Sequence, residues 1–146
     1  MRNKKGFTLV EIMLVVIIIS ILVAMVVPNL AGRSEQARVA AARADIEVNL
    51  ATALDLYELD NGKYPTTEQG LTALLEKPAS SPEPKNWSGP YLKKKKIPFD
   101  PWGRLYVYVS PGNHNREDYD LSSYSSDGEE GHDDIANWTD NVDGGK

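Results

Sequence analysis

The chain has 146 residues, no cysteine, and a formal net charge of -5 from 16 basic and 21 acidic residues. The missing cysteines exclude a disulfide staple, a thiolate metal site and a cysteine nucleophile, and the acidic balance argues against nucleic acid, whose phosphates demand a basic surface. Once the apolar N-terminal part is set aside, the rest is short enough that its core is marginal, so help from a bound ion or from neighbouring subunits is expected.

In chain order, Arg2, Lys4 and Lys5 precede the run Phe7 to Val27, in which only Thr8, Glu11 and Ser20 are polar. At ~1.5 Å per residue a helix over this run reaches about 30 Å, the thickness of a bilayer core. The basic flank predicts that Met1 to Lys5 stay in the cytoplasm and that everything after Pro28 lies outside. The run is too long for an ordinary secretory signal, and it ends in Val-Val-Pro-Asn-Leu-Ala-Gly without a small-x-small cleavage site. Glu11 sits about 6 Å into such a helix. A carboxylate inside a span is by default functional, with snorkelling to the head groups as the plain alternative.

The junction Lys5-Gly6-Phe7-Thr8-Leu9-Val10-Glu11 resembles the leader junction of type IV prepilins and type II secretion pseudopilins. The resemblance implies that a prepilin peptidase cuts after Gly6 and methylates Phe7, and that Glu11 is the assembly glutamate. A freed Phe7 amine on one copy could then pair with Glu11 of a neighbour, an attraction that a low dielectric strengthens.

Beyond Pro28 and Gly32, where the helix can kink or locally melt, Arg33 to Leu59 contains no further proline or glycine. Ile46, Leu50, Ala53 or Leu54, and Tyr57 recur at helical spacing and predict one buried face. Asn61-Gly62 supplies the helix stop. A single helix of about fifty residues follows from this pattern. Thr66 or Thr67 can cap a short helix reaching Glu76, with Leu71, Leu74 and Leu75 on its apolar side. Pro78 to Pro90 reads as a proline-rich loop, and the Lys93 to Lys96 run as a solvated loop. Strands are expected at Leu105 to Val109 and near Tyr119 to Tyr124, separated by the Pro111-Gly112 turn. The predicted fold is α+β: a long N-terminal helix, membrane span and soluble continuation together, packed on a small antiparallel sheet. The corresponding divisions are a leader at 1–6, a transmembrane and assembly segment at 7–27, its soluble continuation at 28–60, and a periplasmic domain at 61–146.

Leu59 to Leu71, Pro98-Phe99-Asp100-Pro101-Trp102-Gly103 and Ser110-Pro111-Gly112 carry the resemblance further, to the major pseudopilins of type II secretion. Adhesive pilins commonly close their C-terminal region with a disulfide, which this chain cannot form. The resemblance implies a homopolymeric pseudopilus subunit, inserted once in the bacterial inner membrane. It also implies minor pseudopilins, the inner-membrane assembly platform, prepilin peptidase and membrane lipid as partners, with no nucleic acid.

Ser125 to Ile135 concentrates carboxylates in a glycine-broken loop, the kind of segment from which calcium gathers oxygen ligands, although it is no EF-hand. The resemblance implies calcium ligation by the side chains of Asp127, Asp133 and Asp134 and the backbone carbonyls of Tyr124 and Glu129. His114 and His132 read as surface residues rather than transition-metal ligands, and Trp102 and Trp138 as packing residues. No nucleophile elbow, phosphate loop or metal-hydrolase spacing suggests an enzyme. The alternative to a filament subunit is a membrane-tethered calcium-binding module that does not polymerise.

Overall fold

The computed structural model describes residues 6–139, with the side chains of 26–31 left aside; the basic residues of the leader and the end of the C-terminal tail lie outside that range. Two compact units divide the chain, Met1–Ala37 and Arg38–Lys146.

Helix α1 runs from Leu9 to Ala44, passing Pro28 and Gly32 without a break in helical assignment. Its start is closed by Thr8: the Glu11 N–H donates to Thr8 Oγ1 at 3.2 Å while the Thr8 N–H points back to Glu11 Oε2 at 3.5 Å. This is a reciprocal capping box, satisfying amides that a helix start leaves without partners. The apolar side chains of this segment are exposed, from Phe7 at 80% to Met25 at 70%.

The expected long helix is continuous from Leu9 to Asn61, and within it the hydrogen bonding widens to a π-helical stretch at Asp45–Leu50 between α1 and α2 at Ala51–Asn61. The buried positions explain the widening. Ala42, Ile46, Leu50 and Leu54 are all fully buried and are spaced by four, and each step of four overshoots a 3.6-residue turn by about 40°. The wider i→i+5 turns of a π segment take that drift back, so one stripe stays on the core. Gly62 ends α2 in the left-handed region at φ 75°, its N–H donating to the Glu58 carbonyl at 2.6 Å.

The short helix after Pro65 is a 3-10 turn, Leu71–Leu74. Both threonines act, in different ways. Thr66 Oγ1 accepts the Gln69 N–H at 3.3 Å, and Gln69 Oε1 accepts the Thr66 N–H at 3.1 Å. Thr67 turns instead to Ser110, bonding its N–H at 2.9 Å and its carbonyl at 3.1 Å.

The sheet has three antiparallel strands in the order β1-β2-β3: Val107–Val109, Asp120–Ser123 and Ile135–Ala136. Tyr108 lies opposite Leu121 and Ser123 opposite Ile135. The first two strands match the sequence pattern. The third is two residues long, too short for alternation to announce, and exists because β2 offers it a ladder. Residues of the helix stripe, the 3-10 turn and all three strands form one buried cluster, which is the helix-on-sheet layering of an α+β domain.

Leu54 is fully buried on that stripe whereas Leu59 is 80% exposed. Leu54→Ala is expected to cost about 2 to 5 kcal/mol of unfolding free energy, and Leu59→Ala less than about 0.5 kcal/mol. Chemical denaturation of the two variants side by side checks the assigned face.

Candidate functional site: the helix start and the acidic loop

Two regions hold the residues that the sequence singled out. At the first, Glu11 lies at the start of α1 beside exposed Phe7, its carboxylate turned to Thr8. Thr8 is the residue that sequence reasoning passed over, although Thr-x-x-Glu ahead of an apolar run is a recognised start signal. The span expected over Phe7–Val27 extends past the side chains described here, and among the described residues no helix is long and apolar enough to cross a membrane.

The second region is built outward from β2. This strand is central, so all four of its residues are buried, and its polar side chains need partners. Asp120 finds them in the turn after Pro111. Its Oδ2 accepts the N–H groups of Asn113 at 2.7 Å and His114 at 2.8 Å, and its Oδ1 accepts that of Asn115 at 3.0 Å. His114 Nδ1 approaches the same carboxylate at 3.1 Å. Gly112 fits because any Cβ there would stand 2.5 Å from Asp120 Oδ1. Burial pushes the Asp120 carboxyl up, but the His114 and Asn115 amides, the His114 ring and the Asn113 amide outweigh it and hold the group below the usual carboxylate range.

The His114 ring also stacks flat on Trp138, centroids 4.2 Å apart and planes 7° from parallel. His114 thus fastens the C-terminal segment, and exposed His132 stands apart from it. Trp102 is half-buried against the core cluster, and Lys93 to Lys96 are exposed, as a solvated loop requires.

At the other end of β2 the acidic loop begins. Tyr124 is half-buried and its carbonyl accepts the Gly128 N–H at 3.1 Å; Asp127 Oδ1 accepts the Glu129 N–H at 3.1 Å. Asp127, Glu129 and Asp133 are exposed, and Asp134 is half-buried. Asp134 Oδ2 accepts the Gly131 N–H at 3.1 Å, while its Oδ1 is buried without a hydrogen-bond partner. Burial raises the Asp134 carboxyl above its ordinary value; the Gly131 N–H lowers it, and the charges of Asp133, Asp127 and Glu130 raise it again. An orphaned buried oxygen among mutually repelling carboxylates suits a divalent cation. The residues therefore fit calcium in charge and donor type. Among the described residues, however, no three His, Asp or Glu side chains stand at metal-binding spacing, so carbonyl oxygens would have to make up the shell.

An exposed apolar helix start, a helix laid on a small sheet and loops that offer charge rather than a reacting group define a pilin-like structural subunit. The family model described as Type II secretion system (T2SS), protein G matches residues 29–139, and that of the prokaryotic N-terminal methylation motif matches residues 1–27. The type II secretion system core protein G of Pseudomonas aeruginosa is 50% identical over 142 residues, covering 94% of this chain and 96% of the relative. That of Escherichia coli K12 is 50% identical over 138 residues, covering 93% and 92%. The crystal structure of the major pseudopilin from the type 2 secretion system of enterohaemorrhagic Escherichia coli superposes with a TM-score of 0.64 at 43% identity, over 76% of this chain and 95% of that one. The chain belongs to the type II secretion system protein G family. It is a structural pseudopilin subunit of the pseudopilus and not an enzyme.

The depressed Asp120 fixes the sign of a pH effect. A carboxyl held low in the folded chain adds stability above its unfolded value near ~3.9 and loses it as pH falls through the lower folded value. Wild-type stability should therefore decline below about pH 4. Asp120→Asn should cost about 1 to 3 kcal/mol at neutral pH and flatten that acid limb, as thermal melts across pH would show.

Proposed function

We propose that the chain is made as a precursor, cut between Gly6 and Phe7 by prepilin peptidase and methylated at Phe7. The mature subunit waits in the inner membrane with its C-terminal domain in the periplasm. The assembly platform then adds it, with minor pseudopilins, to a helical filament of like subunits that promotes export of folded proteins across the outer membrane. The observation that carries this reading is the helix start: one carboxylate, Glu11, in an exposed surface from Phe7 to Met25 that is apolar apart from Thr8 and Ser20. Exposed apolar side chains in such number need lipid or copies of themselves around them. Among the described residues the Glu11 carboxylate makes a long contact, to its own Thr8 at 3.5 Å, so a neighbour's Phe7 amine can compete for it.

Calcium is the second part of the proposal: the side chains of Asp127, Asp133 and Asp134, which do not stand together at metal-binding spacing among the described residues, would close on the ion with the Tyr124 and Glu129 carbonyls completing the shell. The ion supplies neutralising charge and a cross-link within a chain that has no cysteine. The residues do the rest: Asp134 offers its buried, unpartnered oxygen, and Gly128 at φ 75° lets the backbone turn.

Replacing Glu11 with Ala should leave cleavage and methylation, read by mass spectrometry of the N-terminus, unchanged while abolishing filaments on overproduction. Normal filaments would sink the assembly role, and a wild-type chain that never cross-links to itself would favour the tethered, non-polymerising calcium module. For the ion, adding calcium at about a hundredfold excess over Kd should stabilise the folded chain by ~2.7 kcal/mol, a midpoint rise on the order of 10 °C. Melting curves that coincide with and without chelator would refute the site.

A further inference from the structure

The turn that opens the acidic loop is held from below by Arg104. Its Nη1 donates to the Ser125 carbonyl at 2.6 Å and its Nη2 to the Ser126 carbonyl at 3.3 Å. The guanidinium lies so close to Gly128 that a Cβ there would fall 2.5 to 2.7 Å from Cζ, Nη2 and Nε. Two residues of this turn are in the left-handed region, Ser125 at φ 53° and Gly128 at φ 75°. For a serine that conformation is costly and persists only where the surroundings impose it.

Arg104 is itself fixed. Buried Asp100 accepts the Trp102 N–H at 3.0 Å and the Arg104 N–H at 2.8 Å through Oδ1, and the Ser123 hydroxyl at 2.6 Å through Oδ2. The Asp100-Pro101-Trp102-Gly103 signature therefore has a physical role. It folds a tight turn that bonds to the last residue of β2 and delivers Arg104 beneath the loop that follows that strand.

We propose that Arg104 is a positioning residue for the cation loop, a role that rests on the calcium reading above. A guanidinium holding two successive carbonyls, in a fork that no other side chain reproduces, sets the backbone between Tyr124 and Gly128. That in turn sets where the Tyr124 carbonyl and the Asp127 carboxylate stand. Arg104 thus supplies the geometry that exposed carboxylates cannot supply by themselves.

The alternative, that Arg104 is only a nearby charge, predicts the opposite sign. A positive group close to a cation site weakens binding, so removing it would tighten calcium. The test is calorimetric titration of the full chain in detergent with calcium chloride, then with magnesium chloride. Arg104→Met should raise the calcium Kd tenfold or more and reduce the preference for calcium over magnesium. Arg104→Lys, which keeps the charge but not the fork, should fall between. Gly128→Ala, which displaces the guanidinium and strains the turn, should also weaken calcium. A Kd for Arg104→Met equal to or below wild type would overturn the positioning role, as would a lowered melting midpoint without chelator and an unchanged Kd. If the Met variant does not fold, the Lys variant decides in the same way. A wild-type chain that takes up no calcium would instead overturn the calcium reading itself.

Discussion

Three hydrogen bonds between tyrosines and helix carboxylates set the register on which the rest of the domain depends. Tyr106 reaches Asp45 at 2.9 Å, Tyr64 reaches Asp55 at 3.2 Å and Tyr91 reaches Asp60 at 2.8 Å. The three acids are spread from the π segment to the end of α2, and the three donors come from the sheet side and the loops. Burial, reinforced by Asp45, pushes Tyr106 well above its ordinary value, and burial with Asp118 and Glu58, ahead of Asp55, does the same to Tyr64; in Tyr91, burial and Asp60 prevail over the opposing Ser88 and Asn61 contacts. The hydroxyls consequently remain protonated donors throughout the physiological range. Apolar packing alone would tolerate a helix slipped by a turn, since one stripe of Leu and Ala resembles the next. The tyrosines do not tolerate it, because each would lose its carboxyl partner.

That register fixes β2, and β2 fixes both loops. The strand carries Asp120 at one end and Ser123 at the other, each buried and each tied to a separate turn. Burying polar groups in a central strand is costly unless they are satisfied. Here satisfying them is also how the turn after Pro111 and the loop after Tyr124 acquire defined positions. A chain without cysteine ties these turns with hydrogen-bonded carboxylates in place of disulfides.

The sequence made the helix stripe legible because Ile46, Leu50, Leu54 and Tyr57 repeat, and it made β1 and β2 legible because Val and Tyr cluster between turn residues. The π segment was not legible: its cause is the phase of burial over several turns, and a run of four-residue steps looks like an ordinary helix until the core is known. The third strand was hidden because two residues carry no period. At the site, Glu11 and the acidic loop stood out by charge in unusual company. Asp120 did not, being one acid in an acid-rich stretch, yet the Pro-Gly-Asn-His-Asn turn ahead of it offers consecutive amides and could have pointed to it. Arg104 was invisible for the same reason that a hydrogen bond across 21 residues always is: only the fold brings its two ends together.

The apolar flank of α1 has a kinetic consequence. Side chains such as Leu14, Ile17 and Ile21, each more than half exposed, give the helix no tolerable intermediate in water. Its movement between any two surroundings must then resemble a hand-over, in which each new contact forms before the previous one is given up. On the assembly proposed above, growth would be gated by the arrival of the next acceptor rather than by spontaneous escape of a subunit into water.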